Sequence, residues 1–222
     1  FTPVDECIKE EPEPGDLIVV LGGDNYRIGM GGAAVSSVGT GQYSNAIELN
    51  AVQRANPEMQ KRVSNVIRAM VENDSNPVRS IHDHGAGGHL NCLSELIDKS
   101  GGTVYVDNLP VGDPTLSDKE IIGNESQERM GLLINKNDTE IIKMTAERER
   151  APYYIVGEST DDKRLRFVRK NGTNPIDLSL SDFFGSAPKT VLTDKNIDYQ
   201  FGKLSYQNNK FEHYLNKILQ IE

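Results

Sequence analysis

The feature that most restricts the fold is an alternation of short aliphatic runs with segments of helical periodicity. The first run, Leu17 to Leu21, has the length of a buried strand and is ended by two glycines. Pro57 then opens a segment whose apolar residues recur at helical spacing as far as Met70. Strand and helix signals continue to alternate to about Val168, and this order predicts an α/β domain.

The remaining elements are predicted from the same local signals. Short strands are expected at residues 78–81, 103–106 and 129–134, and two further runs, 153–156 and 165–168, have the pattern of paired strands. Helices are expected around residues 90–97, at 117–122 with Ser117 and Glu120 as a capping box, from Asp138 to about Arg150, and at 213–219.

Composition divides the chain into three parts. Residues 1–15 are rich in proline and acidic residues and are typical of a linker or entry arm. Residues 16–192 carry the α/β pattern, whereas residues 193–222 turn polar and are typical of a connector to further chain. The chain begins with Phe1 instead of Met, which leads us to expect that a preceding segment was removed.

Charge and hydropathy exclude several classes of function. The formal net charge of -9 disfavours non-specific binding to nucleic acid or to an anionic membrane surface. No apolar run approaches the roughly 20 residues that a membrane helix needs, and no secretory signal is present. Two cysteines, Cys7 and Cys92, are too few for a disulfide framework, so a cytoplasmic protein with reduced thiols is expected.

A glycine-rich segment from Gly22 to Gly32 follows the first strand and is a candidate anion-binding loop. Glycines such as Gly29, Gly31 and Gly32 let backbone N–H groups approach a phosphate closely. The segment is neither a Walker loop nor a dinucleotide-binding fingerprint. A flexible connector after a strand is an equally acceptable interpretation.

The segment 82–88, HDHGAGG, lies between a predicted strand and a predicted helix, where α/β folds place ligands. Asp83 is a candidate magnesium ligand, and Gly85, Gly87 and Gly88 would let a phosphate approach the helix. Zinc held by His82, His84 and His89 is an alternative, which the His-x-His spacing allows. A tight turn with incidental histidines is a third interpretation.

Two further polar segments are candidates for recognising a small molecule. Glu125, Ser126 and Gln127 stand where a helix gives way to a strand and are able to contact an amide-bearing, hydroxyl-rich ligand. Gln53 precedes a helix start and has the same capability. A solvated helix end and a capping residue are the structural alternatives. No catalytic nucleophile is predicted, because Cys92 falls among leucines and no serine elbow is present.

Taken together, the segments resemble the large form of phosphoribosylformylglycinamidine synthase. The matching segments occur in the family's order, and they are 22–34 (GGDNYRIGMGGAA), 52–59 (VQRANPEM), 82–88 (HDHGAGG), 124–129 (NESQER) and 148–153 (RERAPY). One position departs from the family pattern, because relatives usually have Leu where this chain has His89.

The resemblance implies the C-terminal subdomain of the first of two halves similar to aminoimidazole ribonucleotide synthetase. Such subdomains are α/β sandwiches in which helices back a mixed sheet. The family uses ATP to activate the amide oxygen of formylglycinamide ribonucleotide, and ammonia then replaces the phosphate. By resemblance, Asp83 binds magnesium, whereas Gln53 and the trio Glu125, Ser126 and Gln127 contact the ribonucleotide.

The resemblance also implies that the chain works with domains outside this sequence. These are an ATP-binding half, a second synthetase-like half and a glutaminase that supplies ammonia, so the chain alone is expected to be inactive. A stand-alone nucleotide- or phosphate-binding module is the alternative from another class. Selenophosphate synthetase and hydrogenase maturation factors are further alternatives, although their amino-terminal catalytic residues are not found in this sequence.

Overall fold

The computed structural model describes residues 8–29, 35, 38–39, 41–51, 56–74, 76–125, 128–186, 188–195, 199–203 and 205–220. The chain divides into two compact units, Phe1–Ser186 and Ala187–Glu222. The second unit contains a 3-10 turn at Asn208–Lys210 and the helix α7 at Phe211–Leu219, which begins slightly before the predicted His213. None of the helices in the described part of the chain combines the length and the apolar character needed to cross a membrane.

The first unit is built on a single sheet, whose described strands number seven. They are β1 (Leu17–Leu21), β2 (Val78–Asp83), β3 (Gly102–Tyr105), β4 (Met130–Ile134), β5 (Tyr153–Ser159), β6 (Arg164–Val168) and β7 (Ile176–Ser179). Their order across the sheet is β2-β4-β1-β5-β3-β6-β7. β3 and β6 are parallel and the other neighbours are antiparallel, which confirms the mixed sheet of the predicted fold class.

The first strand lies in the interior of the sheet, between β4 and β5, and both of its faces are apolar. Ile18 and Val20 point into one hydrophobic cluster, and Val19 and Leu21 point into the other. This alternation is the period of two that a strand imposes on successive side chains. All four side chains are fully buried, as expected for a strand covered on both sides.

Helices cover both faces of this sheet. The described helices of the first unit are α1 (Asn45–Leu49), α2 (Pro57–Val71), α3 (Gly88–Leu96), α4 (Asp118–Gly123), α5 (Thr139–Glu149) and α6 (Leu180–Phe184). Residues of α2 and α5 pack on the face of Val19, whereas α3 and α4 pack on the face of Ile18. The predicted capping box of α4 is present, with the Ser117 side chain accepting from Glu120 N.

The predicted pairing of β5 with β6 is wrong, because β3 lies between them. A short connection between two strands normally indicates a hairpin. Here, however, the backbone N–H groups of residues 160 and 163 donate to the segment that precedes β3. Thr160 N donates to Gly101 O at 2.9 Å, and Lys163 N donates to Ser100 O at 2.9 Å. At Gly157 of β5, a Cβ atom would lie only 2.2 Å from Thr103 O, so the absence of a side chain lets β3 approach β5 closely.

Candidate functional site

A cleft of about 790 Å³ opens at the end of β2, beside the start of α2 and the segment that precedes β4. It is lined by Asn56, Pro57, Gln60, Val63, Ser64, Ile67, Arg68, Asp83, His84, Gly85, Glu125, Glu128, Arg129 and Met130. The predicted residues Asp83 and Glu125, which are distant in sequence, therefore share one cleft. Clefts of this size are typical of small-molecule sites in α/β domains.

Several of the predicted site residues cannot be placed relative to this cleft. Gln53, Ser126, Gln127, Gly31 and Gly32 all lie outside the described residues. Their roles remain predictions from the sequence. Among the described candidates, the structure shows the surroundings of Asp83, of Glu125 and of the glycines at positions 29, 85, 87 and 88.

Asp83 is the last residue of β2, and its side chain is exposed. Among the described residues, its carboxylate forms no hydrogen bond or ion pair. A Cβ atom on Gly85 would lie 3.2 Å from Asp83 Oδ2, so the glycine leaves space beside the carboxylate. This placement allows Asp83 to bind a group in the cleft without giving up a described contact.

The glycine turn after Asp83 packs against the segment that carries Glu125. Gly87 and Gly88 have φ angles of 87° and 58°, in the left-handed region that favours glycine. A Cβ atom on Gly88 would lie 2.2 Å from Asn124 O, which is closer than any side chain tolerates. Gly88 therefore allows two backbone segments to pack closely, whereas a ligand-binding role for this glycine remains a prediction.

Gly29 is connected to the same segment through its backbone. Glu125 N donates to Gly29 O at 2.7 Å, and Gly29 N donates to Asn50 O at 2.9 Å. The buried Asn124 side chain also donates to Tyr26 O at 2.8 Å. These bonds hold Gly29 beside Glu125, and they occupy the Gly29 N–H, which was predicted from the sequence to face an anion.

Behind the cleft lies a buried group of three polar side chains, of which the sequence analysis considered His84 and His89 only as alternative zinc ligands and gave Arg129 no role of its own. Arg129 Nη1 lies 2.8 Å from His89 Nε2, and His89 Nδ1 lies 2.9 Å from His84 Nε2. Arg129 Nη2 also donates to Asn124 O and Asn124 Oδ1, each at 3.3 Å. His89 is fully buried.

Burial determines the ionisation of these three groups. It lowers the pKa of His84 and of His89 well below the usual range, and the nearby positive charge of Arg129 lowers both further. Burial also lowers the pKa of Arg129 to about 9, which leaves the guanidinium charged at neutral pH. The group therefore contains one cation and two neutral imidazoles.

The histidines do not converge as the zinc alternative requires. His82 Nδ1 lies 3.0 Å from Glu95 Oε2 and its Nε2 lies 2.7 Å from Lys9 Nζ, whereas His84 and His89 contact each other. In the described part of the chain, no three His, Cys, Asp or Glu side chains are grouped as metal ligands. Cys92 is buried in the hydrophobic core, as predicted, and burial raises the pKa of its thiol.

Replacing Arg129 with Met is expected to destabilise the chain by about 2 kcal/mol. Arg129 is 1% exposed, and its loss leaves His89 Nε2 and the Asn124 carbonyl groups buried without this donor. The Met variant avoids the free-energy cost of desolvating a buried guanidinium, but this gain offsets only part of the loss. Urea unfolding followed by circular dichroism measures the difference in the free energy of unfolding.

Arg148→Met is the matched control for this measurement, because the Arg148 side chain is 63% exposed and, among the described residues, forms an ion pair with the neighbouring Glu149. Its loss is expected to change the free energy of unfolding by less than about 0.5 kcal/mol. Equal losses for the two variants would contradict a structural role for the buried guanidinium.

An α/β domain with a polar cleft at a strand end, beside a glycine turn, has the features of a ligand-binding domain of an enzyme. Residues 13–170 match the model of the family described as AIR synthase related protein, C-terminal domain. The chain belongs to this family.

Curated relatives include the phosphoribosylformylglycinamidine synthases of Dictyostelium discoideum and Homo sapiens. The first is 40% identical over 191 residues and the second 40% identical over 203 residues. These matches cover 84% and 83% of this chain but only 14% and 15% of the relatives. The chain therefore spans a small part of the length of the proteins that it matches.

Solved structures show the same fold. T. maritima PurL complexed with FGAR superposes with a TM-score of 0.72 at 27% identity, covering 91% of this chain and 32% of that protein. E. coli HypE superposes with a TM-score of 0.51 at 17% identity, covering 76% of this chain and 50% of that protein. The second similarity concerns the fold alone.

Proposed function

We propose that this chain forms one wall of the substrate site in a phosphoribosylformylglycinamidine synthase. The observation that carries the proposal is the meeting of Asp83 and Glu125 in one cleft beside the glycine turn. The relatives that match most of this chain bear that enzyme's name, and the PurL structure was solved with FGAR. The reaction would convert formylglycinamide ribonucleotide to its amidine with ATP and ammonia.

The residues of this chain would bind and orient the ribonucleotide. Glu125 lines the cleft, and its backbone N–H donates to Gly29 O. Because this bond fixes the backbone at Glu125, the carboxylate would contact the substrate from a defined position. Ser126 and Gln127 follow it in the chain, and together with Gln53 they would supply hydroxyl and amide contacts. Arg68 also lines the cleft and pairs with Glu72 at 2.7 Å, and its remaining N–H donors would contact a phosphate group.

The described residues fit a magnesium ion better than a transition metal. Carboxylates line the cleft, and hard cations prefer such oxygen ligands, but no three of the described side chains are grouped as metal ligands, so a single carboxylate would have to serve. Magnesium commonly takes one or two carboxylates and completes its shell with phosphate oxygens and water. Asp83 would be the protein ligand, and the bound ion would neutralise charge on the phosphate groups of ATP.

The remaining machinery would lie in other parts of the same enzyme. An ATP-binding half and a second synthetase-like half would complete the site, and a glutaminase would supply ammonia. The complete enzyme would work in the cytoplasm. The domain would extend over residues 16–192, with residues 1–15 and 193–222 as connections to those parts. No catalytic nucleophile is assigned to this chain.

The 222-residue chain alone is expected to show no turnover, whereas the complete protein that contains it forms the amidine. The reason would be that the ATP-activating groups belong to the other parts of the enzyme proposed above. The measurement is amidine formation from formylglycinamide ribonucleotide with ATP, magnesium and ammonia, for both proteins in parallel.

Circular dichroism of the chain is the control, since it separates an inactive folded protein from an unfolded one. Comparable turnover by the chain alone would contradict the proposal in favour of a self-sufficient module. An inactive complete protein would contradict the assignment of the reaction.

A further inference from the structure

The three buried polar side chains behind the cleft form a line of hydrogen bonds that ends at the cleft wall. Arg129, His89 and His84 are 1%, 0% and 3% exposed. Arg129 contacts His89 at 2.8 Å and His89 contacts His84 at 2.9 Å. Arg129 and His84 also line the cleft, so the line connects the core with the ligand site.

The chemistry of the three groups determines the direction of these bonds. A guanidinium has donors only, so His89 Nε2 must accept from Arg129. A second proton on His89 would set two donors against each other, and the His89 proton therefore sits on Nδ1. That N–H donates to His84 Nε2, so the proton of His84 is fixed on its Nδ1.

The last donor of the line has no partner within the described residues. His84 Nδ1 is buried and has no hydrogen-bond partner there, although the Arg129 carbonyl lies near enough to the ring to act against the lowering of its pKa. Buried polar groups in native proteins nearly always have partners, and an exception at a cleft wall indicates a ligand or water. The edge-on packing of the two rings, with centroids 4.8 Å apart, keeps the His84 ring in this orientation.

We propose that the Nδ1–H of His84 is a preset hydrogen-bond donor for an oxygen atom of the ribonucleotide substrate. This inference rests on the function proposed above and adds a residue to its binding site. The acceptor is a phosphate or a carbonyl oxygen, since each accepts from a neutral N–H. Arg129 and His89 are positioning residues, because they act through the tautomer of His84.

The tautomers are tested directly by nitrogen-15 NMR of the histidine-labelled 222-residue chain. His84 and His89 are each expected to carry the proton on Nδ1, whereas the exposed His213 serves as the reference for a freely exchanging ring. This readout needs no substrate. A proton on Nε2 of His84 or of His89 would overturn the proposed direction of the line.

Binding is tested in the complete enzyme with two matched substitutions. Asn at position 84 places its amide near the position of Nδ1, and Gln places its amide near the position of Nε2. His84→Gln is expected to raise KM for formylglycinamide ribonucleotide about tenfold, whereas His84→Asn keeps KM within about threefold of wild type. His213→Gln is the control and is expected to change neither KM nor kcat.

If His84 had a purely structural role, the order of the effects of the two substitutions would be reversed. Gln would then keep the contact with His89 and normal KM, whereas Asn would lose stability and activity together. That reversed order, or an unchanged KM in His84→Gln, would overturn the donor role and leave the proposed function intact. A wild-type enzyme that does not bind the ribonucleotide would overturn both.

Inhibition by inorganic phosphate distinguishes the two acceptors. If the acceptor is a phosphate oxygen, His84→Gln weakens phosphate inhibition about as much as it raises KM. If the acceptor is a carbonyl oxygen, KM rises while phosphate inhibition stays at the wild-type level. Both results support the donor role, because each requires an elevated KM in the Gln variant.

Discussion

Asp83→Asn in the complete enzyme is expected to lower turnover about a hundredfold or more, with little change in melting temperature. Asn keeps the shape of the side chain and removes the charge that would anchor magnesium and its phosphate groups. The carboxylate is exposed at the end of β2, so its loss removes no described stabilising contact. Steady-state kinetics over a range of magnesium concentrations and thermal scanning measure the two effects.

Asp161→Asn is the matched control, because Asp161 is an exposed aspartate in the turn between β5 and β6. It is expected to leave turnover and melting temperature unchanged. The competing explanation is that Asp83 caps the glycine turn through backbone N–H groups. A clear drop in melting temperature with near-normal turnover would favour that cap, although in the structure Gly88 N donates to Gly85 O at 3.0 Å instead.

Gly88→Ala is expected to destabilise the chain by about 4 kcal/mol. Two costs add at this position. A residue with a side chain pays about 1–2 kcal/mol to adopt a left-handed conformation such as the φ of 58° found here. The new Cβ atom also lies 2.2 Å from Asn124 O, and relief requires the segment before Glu125 to move away from α3.

Gly172→Ala separates these two costs. Gly172 also has a positive φ, 87°, but nothing lies within 4 Å of a Cβ atom at this position. Its replacement is therefore expected to cost only the conformational part, about 1 kcal/mol. Urea unfolding of both variants measures the difference, and equal losses would show that the backbone contact with Asn124 contributes little.

The longer helices and the first strand could be predicted because their signals are local. The aliphatic run of β1, the proline at the start of α2 and the capping box of α4 each specify the structure within a few residues. The motifs around Asp83 and Glu125 were also visible, since glycines beside acidic residues at strand ends are a local pattern. Their meeting in one cleft follows from strand order, which local patterns do not specify.

The position of β3 illustrates what local patterns leave open. The few residues between β5 and β6 indicate a hairpin, whereas the fold inserts β3 between the two strands. Close backbone contact at Gly157 and the burial of Val104 favour that arrangement. Both contributions depend on residues about fifty positions apart, as Thr103 and Gly157 show, and no short window of sequence contains them.

The sequence by itself determined the fold class, the main elements, the acidic and glycine-rich segments and the family resemblance. Only the tertiary structure revealed the buried line from Arg129 through His89 to His84. Arginine and histidine are polar, and composition alone favours placing them at the surface. Their burial is stable only because each finds a partner from a distant segment, and such partners are brought together by the sheet and not by neighbouring sequence.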